Sequence, residues 1–284
     1  MGVIKKYSDI AKMINKNLDS ICRIEKYNLK QNMADSYTKP IMRGEIEYVK
    51  ELKELLKVKG VKNKDYIRVG GNGDGGYVML DSFDRINCVY SIGVGAEIRF
   101  DEFFANRGLD VYMFDHTIDS IPSNDIHLHW NRVGICGSGT QKFDDLITLD
   151  DMVGDFSSVN GNVAILKMDV EGFEWDVLST VKSESLDIFD QIVMEFHGLH
   201  DLNNRRKILI GLENLNKTHQ LVHVHANNAG TVIEIDGWVL PDLLEVTYVN
   251  KNNYEIIPSD RCFPTALDSK NIELFPEITL GYWN

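Results

Sequence analysis

The chain has 284 residues, of which 43% are hydrophobic and 26% charged, and its formal net charge is -13. This is enough apolar material for one large domain with a substantial core, which excludes a disordered chain. A surface this acidic repels polyphosphates, so nucleic acid is not an expected partner.

The apolar runs are short and interrupted, below the roughly 20 residues that cross a bilayer, and no apolar signal core follows the charged start. Membrane insertion is therefore not expected and a cytoplasmic location is. Lys6 stands where N-terminal myristoylation requires Ser or Thr, so no lipid anchor is expected either. Cys22, Cys88, Cys136 and Cys262 form no Cys-x-x-Cys pair and read as reduced structural thiols.

In chain order, Ile10, Met13, Ile14, Leu18, Ile21 and Ile24 recur at steps of three and four, and Val49, Leu52, Leu55 and Leu56 repeat that spacing. Both segments read as amphipathic helices, broken between them by Pro40. Residues 1–62 are thus expected to be a helical extension that covers one side of the core or joins two copies into a homo-oligomer. Residues 63–284 form the main domain. From residue 88 onward, short β-branched or aromatic runs alternate with helical patterns, the signature of βαβ units. Strands are expected at about 88–94, 110–115, 127–135, 163–169, 191–197, 220–226 and 243–250. Helices fit the gaps, with Phe100, Phe103 and Phe104 on the first, Trp175, Val177 and Leu178 on the second, and Ile208, Leu209, Leu212 and Leu215 on the third. The fold class is α/β, a doubly wound, mostly parallel, Rossmann-like seven-stranded sheet. Val232–Ile235 and Leu244–Val249 read as the last strands, with Asp236-Gly237-Trp238 as a loop between them and an antiparallel closing strand at the end.

Ser91-Ile92-Gly93-Val94-Gly95-Ala96-Glu97 follows an apolar strand and precedes a helix. Glycines at such a turn let a ligand approach the backbone closely. The next strand ends in Asp115, about 20 positions on, where an acidic residue accepts hydrogen bonds from ribose hydroxyls. The pair fits an adenosine ligand and does not by itself separate NAD from S-adenosylmethionine. Ile98 occupies the position of the third glycine of the dinucleotide fingerprint, which tilts the choice towards S-adenosylmethionine. Gly70-Gly71-Asn72-Gly73 precedes no Gly-Lys-Ser/Thr, so it is not a nucleotide-triphosphate loop.

Leu166-Lys167-Met168-Asp169-Val170-Glu171-Gly172-Phe173-Glu174 closes another strand with carboxylates. This stretch closely resembles the L-K-x-D-V-E-G-x-E signature of FkbM-like methyltransferases. Thr148-Leu149-Asp150-Asp151 resembles that family's T-L-D-D element, and Asp74-Gly75-Gly76-Tyr77 resembles the D-G-G-Y element of related domains. Leu240–Tyr248 is similar to the closing strand, so the resemblance spans about residues 65 to 250. It implies a class I methyltransferase fold that binds S-adenosylmethionine and usually methylates a hydroxyl of a sugar, glycan or other secondary metabolite. Carried residue by residue, it places Gly93, Gly95 and Glu97 along the cofactor, Asp115 at its ribose, Asp169 near the transferred methyl and Tyr77 at the methionine end.

Two further strand tips carry titratable groups, Glu195-Phe196-His197 and His223-Val224-His225. In an open parallel sheet the carboxyl ends of neighbouring strands converge on the ligand crevice, which gathers Asp169, Glu195, His197 and His225. Such a cluster acts either as a general base, with Asp169, His197 and His225 as the catalytic candidates, or as a divalent metal site made of all four residues. His223, deeper in its strand, reads as a hydrogen-bonded fixture. Two other functions are weighed against methyl transfer: a nicotinamide-dependent oxidoreductase, which needs a pyrophosphate turn, and a non-catalytic adenosine-binding scaffold.

Overall fold

The computed structural model describes residues 43–139, 145–160 and 163–284. The expected helices over residues 8–30 lie outside the described residues. Among the described residues eight strands in four two-stranded pairs, one of them β1 (Lys59–Val61) with β15 (Ile256–Pro258), accompany a seven-stranded central sheet whose strands fall within or close to the seven expected stretches. They are β4 (Cys88–Ile92), β5 (Asp110–Phe114), β6 (Leu128–Asn131), β9 (Ala164–Met168), β10 (Phe189–Phe196), β11 (His219–Ala226) and β14 (Leu244–Asn250).

The spatial order is β11-β14-β10-β9-β4-β5-β6, and every pairing is parallel except those of β14, which lies antiparallel between β10 and β11. Strands buried on both faces are written mostly in apolar residues rather than in alternating ones. Accordingly Cys88–Ile92, Ala164–Met168 and Phe189–Phe196 are buried throughout. The strand expected over 127–135 is interrupted: β6 stops at Asn131, and Gly134–Cys136 (β7) leaves the sheet to pair with Leu146–Thr148 (β8).

One face of the sheet packs helices α1 (Arg43–Leu55), α3 (Leu149–Asn160), α4 (Glu174–Leu178), α5 (Ser183–Asp187) and α6 (Arg205–Thr218), around Tyr90, Trp175, Phe196, Leu212 and Tyr248. The other face packs α2 (Arg99–Ala105) and the hairpin of β2 (Tyr66–Val69) with β3 (Tyr77–Leu80), around Phe100, Phe104, Val111 and Ile165. Burying this much apolar surface, at about 25 cal/mol per Å², is the main stabilising contribution.

Helix α1 confirms the spacing of Val49, Leu52 and Leu55. Its residues Tyr48, Val49 and Leu52 belong to the main core, as do Leu56 and Val58 beyond it. Tyr48 Oη donates to the Leu199 carbonyl at 3.0 Å, and Asn216 donates to the Leu55 carbonyl at 2.7 Å. Residues 43–61 are thus built into the same core as the sheet. Val232–Ile235 (β12) pairs with Trp238–Pro241 (β13) rather than with the closing strand, so Trp238 is a buried strand residue. The turn is only Asp236-Gly237, both at positive φ, as a tight two-residue hairpin requires. No helix among the described residues is long and apolar enough to cross a membrane.

His219, fully buried at the start of β11, faces the Phe189 carbonyl at 2.9 Å through Nε2 and the Thr218 hydroxyl at 2.8 Å through Nδ1. Burial pushes its pKa down from 6.5 to about 4. The folded state therefore favours the neutral ring. This contribution is complete above pH 6.5 and is lost as pH falls from 6.5 towards 4, because the unfolded chain takes up the proton first. At roughly 1.4 kcal/mol per unit the loss approaches ~3 kcal/mol. Urea titrations between pH 7 and pH 4.5 should show this slope, and His219→Gln should flatten it. An unchanged slope in the variant would contradict the assignment.

Candidate active site

The strand order reverses between β4 and β9, and in open α/β sheets ligands bind in the crevice at that point. A cavity of about 600 Å³ lies there, bordered by the segments that follow β4, β5 and β9. Its lining includes Gly93, Gly95, Glu97, Asp115 and Asp169, five of the residues expected to hold a cofactor.

The turn after β4 is locked from three sides. Gly93 has φ +74°, and a Cβ on it would stand 1.6 Å from the Asp169 carbonyl oxygen, so only glycine fits. Lys167, buried in β9, donates its ammonium to the Gly93 carbonyl at 2.6 Å. Asp115 Oδ2 accepts the backbone N–H groups of Val94 (3.1 Å) and Gly95 (3.0 Å), while its Oδ1 accepts the Thr117 N–H (2.7 Å) and hydroxyl (2.6 Å). Burial alone would raise the Asp115 pKa, but the Thr117 and glycine-turn hydrogen bonds together hold it below the ordinary carboxylate value. Gly95, at φ +59°, has open space where a Cβ would lie.

Glu97 borders the cavity but is partnered. Its carboxylate accepts the Arg99 N–H at 2.9 Å and pairs with the guanidinium at 2.6 and 2.7 Å, which lowers its pKa. Tyr77 does not line the cavity. It lies buried behind Asp169, edge-on to Phe100, and donates its hydroxyl to Asp169 Oδ2 at 3.3 Å. Gly70–Gly73 is an arginine-held loop, in which Arg68 donates to the carbonyls of Gly71 (2.9 Å) and Gly73 (2.8 Å).

The Asp169–Glu174 segment turns sharply, with Glu171 at φ +53° and Gly172 at φ +103°. Glu174, with no exposed surface, staples the turn by accepting the N–H groups of Val170 (3.0 Å) and Gly172 (3.0 Å). The same carboxylate meets His197 Nδ1 at 3.0 Å. The other imidazole nitrogen faces Glu171 at 3.4 Å and Glu195 at 3.7 Å. Asp169, Glu195 and His197 each offer one ligand atom within 4.8 Å of the others, close enough to hold a metal ion.

Burial, with Asp169 and Glu245 nearby, raises the Glu195 pKa to about 8. Burial works against the His197 imidazolium, but the hydrogen bond and charge of Glu174, together with Glu195 and Asp169, raise it to about 9. Asp169 is raised by burial, against the pull of Lys167 and His197.

His225 is not in this cluster. It is 1% exposed, and its ring nitrogens meet Glu245 at 2.8 Å and Glu277 at 3.2 Å. It stands two strands from Glu195 in one row across the sheet, Glu195–Glu245–His225. His223 is indeed hydrogen-bonded within the fold, to Asp268 at 2.8 Å and Arg261 at 2.9 Å. His116, Thr117, Lys167, Phe173 and Glu174 were not picked out by sequence reasoning. The last three lie inside the L-K-x-D-V-E-G-x-E stretch, whose spacing was the available signal.

The methyltransferase FkbM domain model matches residues 81–230, just over half of the chain. The chain belongs to the FkbM methyltransferase family. A search of curated proteins returned no match. In this FkbM methyltransferase the matched stretch contains the glycine turn, Asp115 and the whole Asp169–Glu174 turn, while Asp74–Tyr77 and the closing strand lie outside it.

Gly93→Ala should lower the thermal midpoint of the protein strongly, by the equivalent of roughly 2 kcal/mol or more, because strands β4 and β9 must part. Gly95→Ala carries only the left-handed backbone penalty of about 1 kcal/mol. Thermal denaturation of the two variants side by side checks this, and equal shifts would contradict it.

Proposed function

We propose that this FkbM methyltransferase uses S-adenosylmethionine to methylate a hydroxyl of a sugar, nucleotide-linked sugar or glycan precursor. One observation carries the reading: Asp169 belongs both to the cavity beside the glycine turn and to the carboxylate–imidazole cluster. A donor in the cavity and an acceptor at the cluster then meet at one residue. The carbohydrate class of the acceptor follows from the family resemblance.

The residues present fit the cofactor. The cavity volume falls in the range of roughly 300–1,000 Å³ usual for small-molecule sites. Its lining carries Asp74, Glu97, Asp115, Asp169, Glu171 and Asp176 against Lys167, whose ammonium is already given to Gly93. Such a lining suits a cationic sulfonium and repels a pyrophosphate, which disfavours the nicotinamide reading. Ile92, Phe114 and Ile135 supply apolar walls for an adenine. Gly93, Gly95 and Glu97 would border the cofactor, Asp115 would hold its ribose and Asp169 would stand at the methyl end, with Tyr77 holding Asp169 from behind.

S-adenosylmethionine supplies a methyl group on a sulfonium: the acceptor oxygen forms the new O–C bond as the C–S bond breaks and leaves a thioether. The chain must orient the acceptor and dispose of its proton. Asp169 and His197 receive the hydroxyl, with Glu174 fixing the imidazole, and the cluster assists either by taking the proton or by holding a cation. His225 acts as a positioning residue, through Glu245 beside Glu195. A non-catalytic adenosine scaffold would leave this buried cluster without use.

Calorimetric titration should show saturable binding of S-adenosylhomocysteine and none of NAD; binding of NAD alone, or of neither, contradicts the proposal. His197→Asn should keep S-adenosylhomocysteine affinity within about threefold while methyl transfer falls by roughly 100-fold, the usual scale for losing an acid–base group. Equal loss of both would remove His197 from the chemistry.

A further inference from the structure

The strand-tip cluster has three features that a simple proton acceptor does not need. Asp169 Oδ1 is sealed from solvent and has no hydrogen-bond partner among the described residues, although a buried carboxylate oxygen left alone is costly. Its other oxygen accepts the Tyr77 hydroxyl at 3.3 Å.

The second feature is the His197 tautomer. Glu174 already accepts two backbone N–H groups, so it is an acceptor towards His197 as well, and Nδ1 carries the hydrogen. An incoming cation that displaces the Nε2 proton then finds that nitrogen's lone pair on the side where Glu195 and Glu171 stand. An imidazole whose second nitrogen is tied to a buried carboxylate is the usual support of a metal-ligating histidine.

The third feature is charge. Asp169, Glu195 and Glu171 crowd one imidazole, and among the described residues no lysine or arginine forms an ion pair with any of them. Glu195 is itself fixed, because Asn227 donates to its Oε1.

Resting on the acceptor-side role given to this cluster above, we propose that Asp169, Glu195 and His197 bind one divalent cation, with Glu174 as the positioning residue that fixes the His197 tautomer. Ligand bonds of about 2.0–2.2 Å bring first-row ligands to within about 4.4 Å of each other, so ligand atoms that already lie within 4.8 Å of one another need at most a small contraction. Two carboxylates with one imidazole favour Mn²⁺, Fe²⁺ or Zn²⁺ over Ca²⁺, which takes six to eight oxygens, and over thiolate-seeking ions. The ligand set is three residues and not four, since both ring nitrogens of His225 are occupied by Glu245 and Glu277. Asp169 also lines the cavity, so a cation here would face the donor and polarise an acceptor hydroxyl on it.

The test is titration of the full chain with MnCl₂, without cofactor, followed by calorimetry and by the loss of the free-ion EPR signal. One Mn²⁺ per chain is expected, with affinity lost by at least about 100-fold in Glu195→Gln and in His197→Asn. Glu174→Gln should weaken it by about 10- to 100-fold, the scale for losing a supporting carboxylate. Glu255→Gln, at an exposed acid paired with Lys62 far along the chain, should leave binding unchanged. Circular dichroism verifies that each variant is folded; if Glu174→Gln does not fold, the Glu195 and His197 variants decide alone. Absence of saturable Mn²⁺ binding in folded protein, or binding indifferent to Glu195→Gln, overturns the proposal. S-adenosylhomocysteine is titrated in parallel: its failure to bind sinks the cofactor reading, whereas Mn²⁺ failure with intact S-adenosylhomocysteine binding sinks only the metal site.

Discussion

The close approach of the β4 turn to the tip of β9 is the constraint on which the site depends. A side chain at residue 93 would collide with the Asp169 carbonyl, so glycine at this one position lets two neighbouring strand ends share a wall. Lys167 and Asp115 then lock the turn from beneath and from the side. Both ties are charge-assisted hydrogen bonds in a buried setting, which makes them stronger and more directional than neutral ones. The cavity is consequently a preformed feature of the sheet edge, and Asp169 is presented to it by a backbone that cannot easily move.

Around Asp169 the fold accepts an unusual density of buried charge. Glu174, Glu195, Glu245, His197 and His225 all lie within or just beyond the ends of β9, β10, β11 and β14. Burying charges is unfavourable unless each finds partners. Here Glu174 finds two amides and an imidazole, Glu195 finds Asn227, and His225 finds two carboxylates. Asp169 Oδ1 is the exception, and it lies where donor cavity and acceptor cluster meet. Sites that break the rule of satisfied burial are where function is expected to sit.

The sheet was legible in the sequence because parallel strands buried on both faces are written as near-continuous apolar runs, and Cys88–Ile92 and Ala164–Met168 are such runs, broken only by Ser91 and Lys167. The β12–β13 hairpin was half legible: Asp236-Gly237 marks the turn, but Trp238 looked like loop because its strand is only four residues long. In the site, Gly93, Asp115 and Asp169 announced themselves by position at strand ends. Glu174 did not, because its work depends on a three-dimensional meeting with His197, 23 residues away. His225 was drawn into the cluster by strand alternation. Alternation gives the face of a sheet but not the lateral distance, and the inserted antiparallel strand β14 separates β11 from β10. The same insertion places Glu245 between Glu195 and His225, and no local pattern encodes that.

The most direct test of the shared-residue geometry is a crystal structure of the protein with S-adenosylhomocysteine. The adenosine should lie between the glycine turn and Asp115, with the sulfur at the Asp169 end of the cavity facing His197. A ligand whose sulfur points away from Asp169, or one bound elsewhere on the chain, would contradict the account.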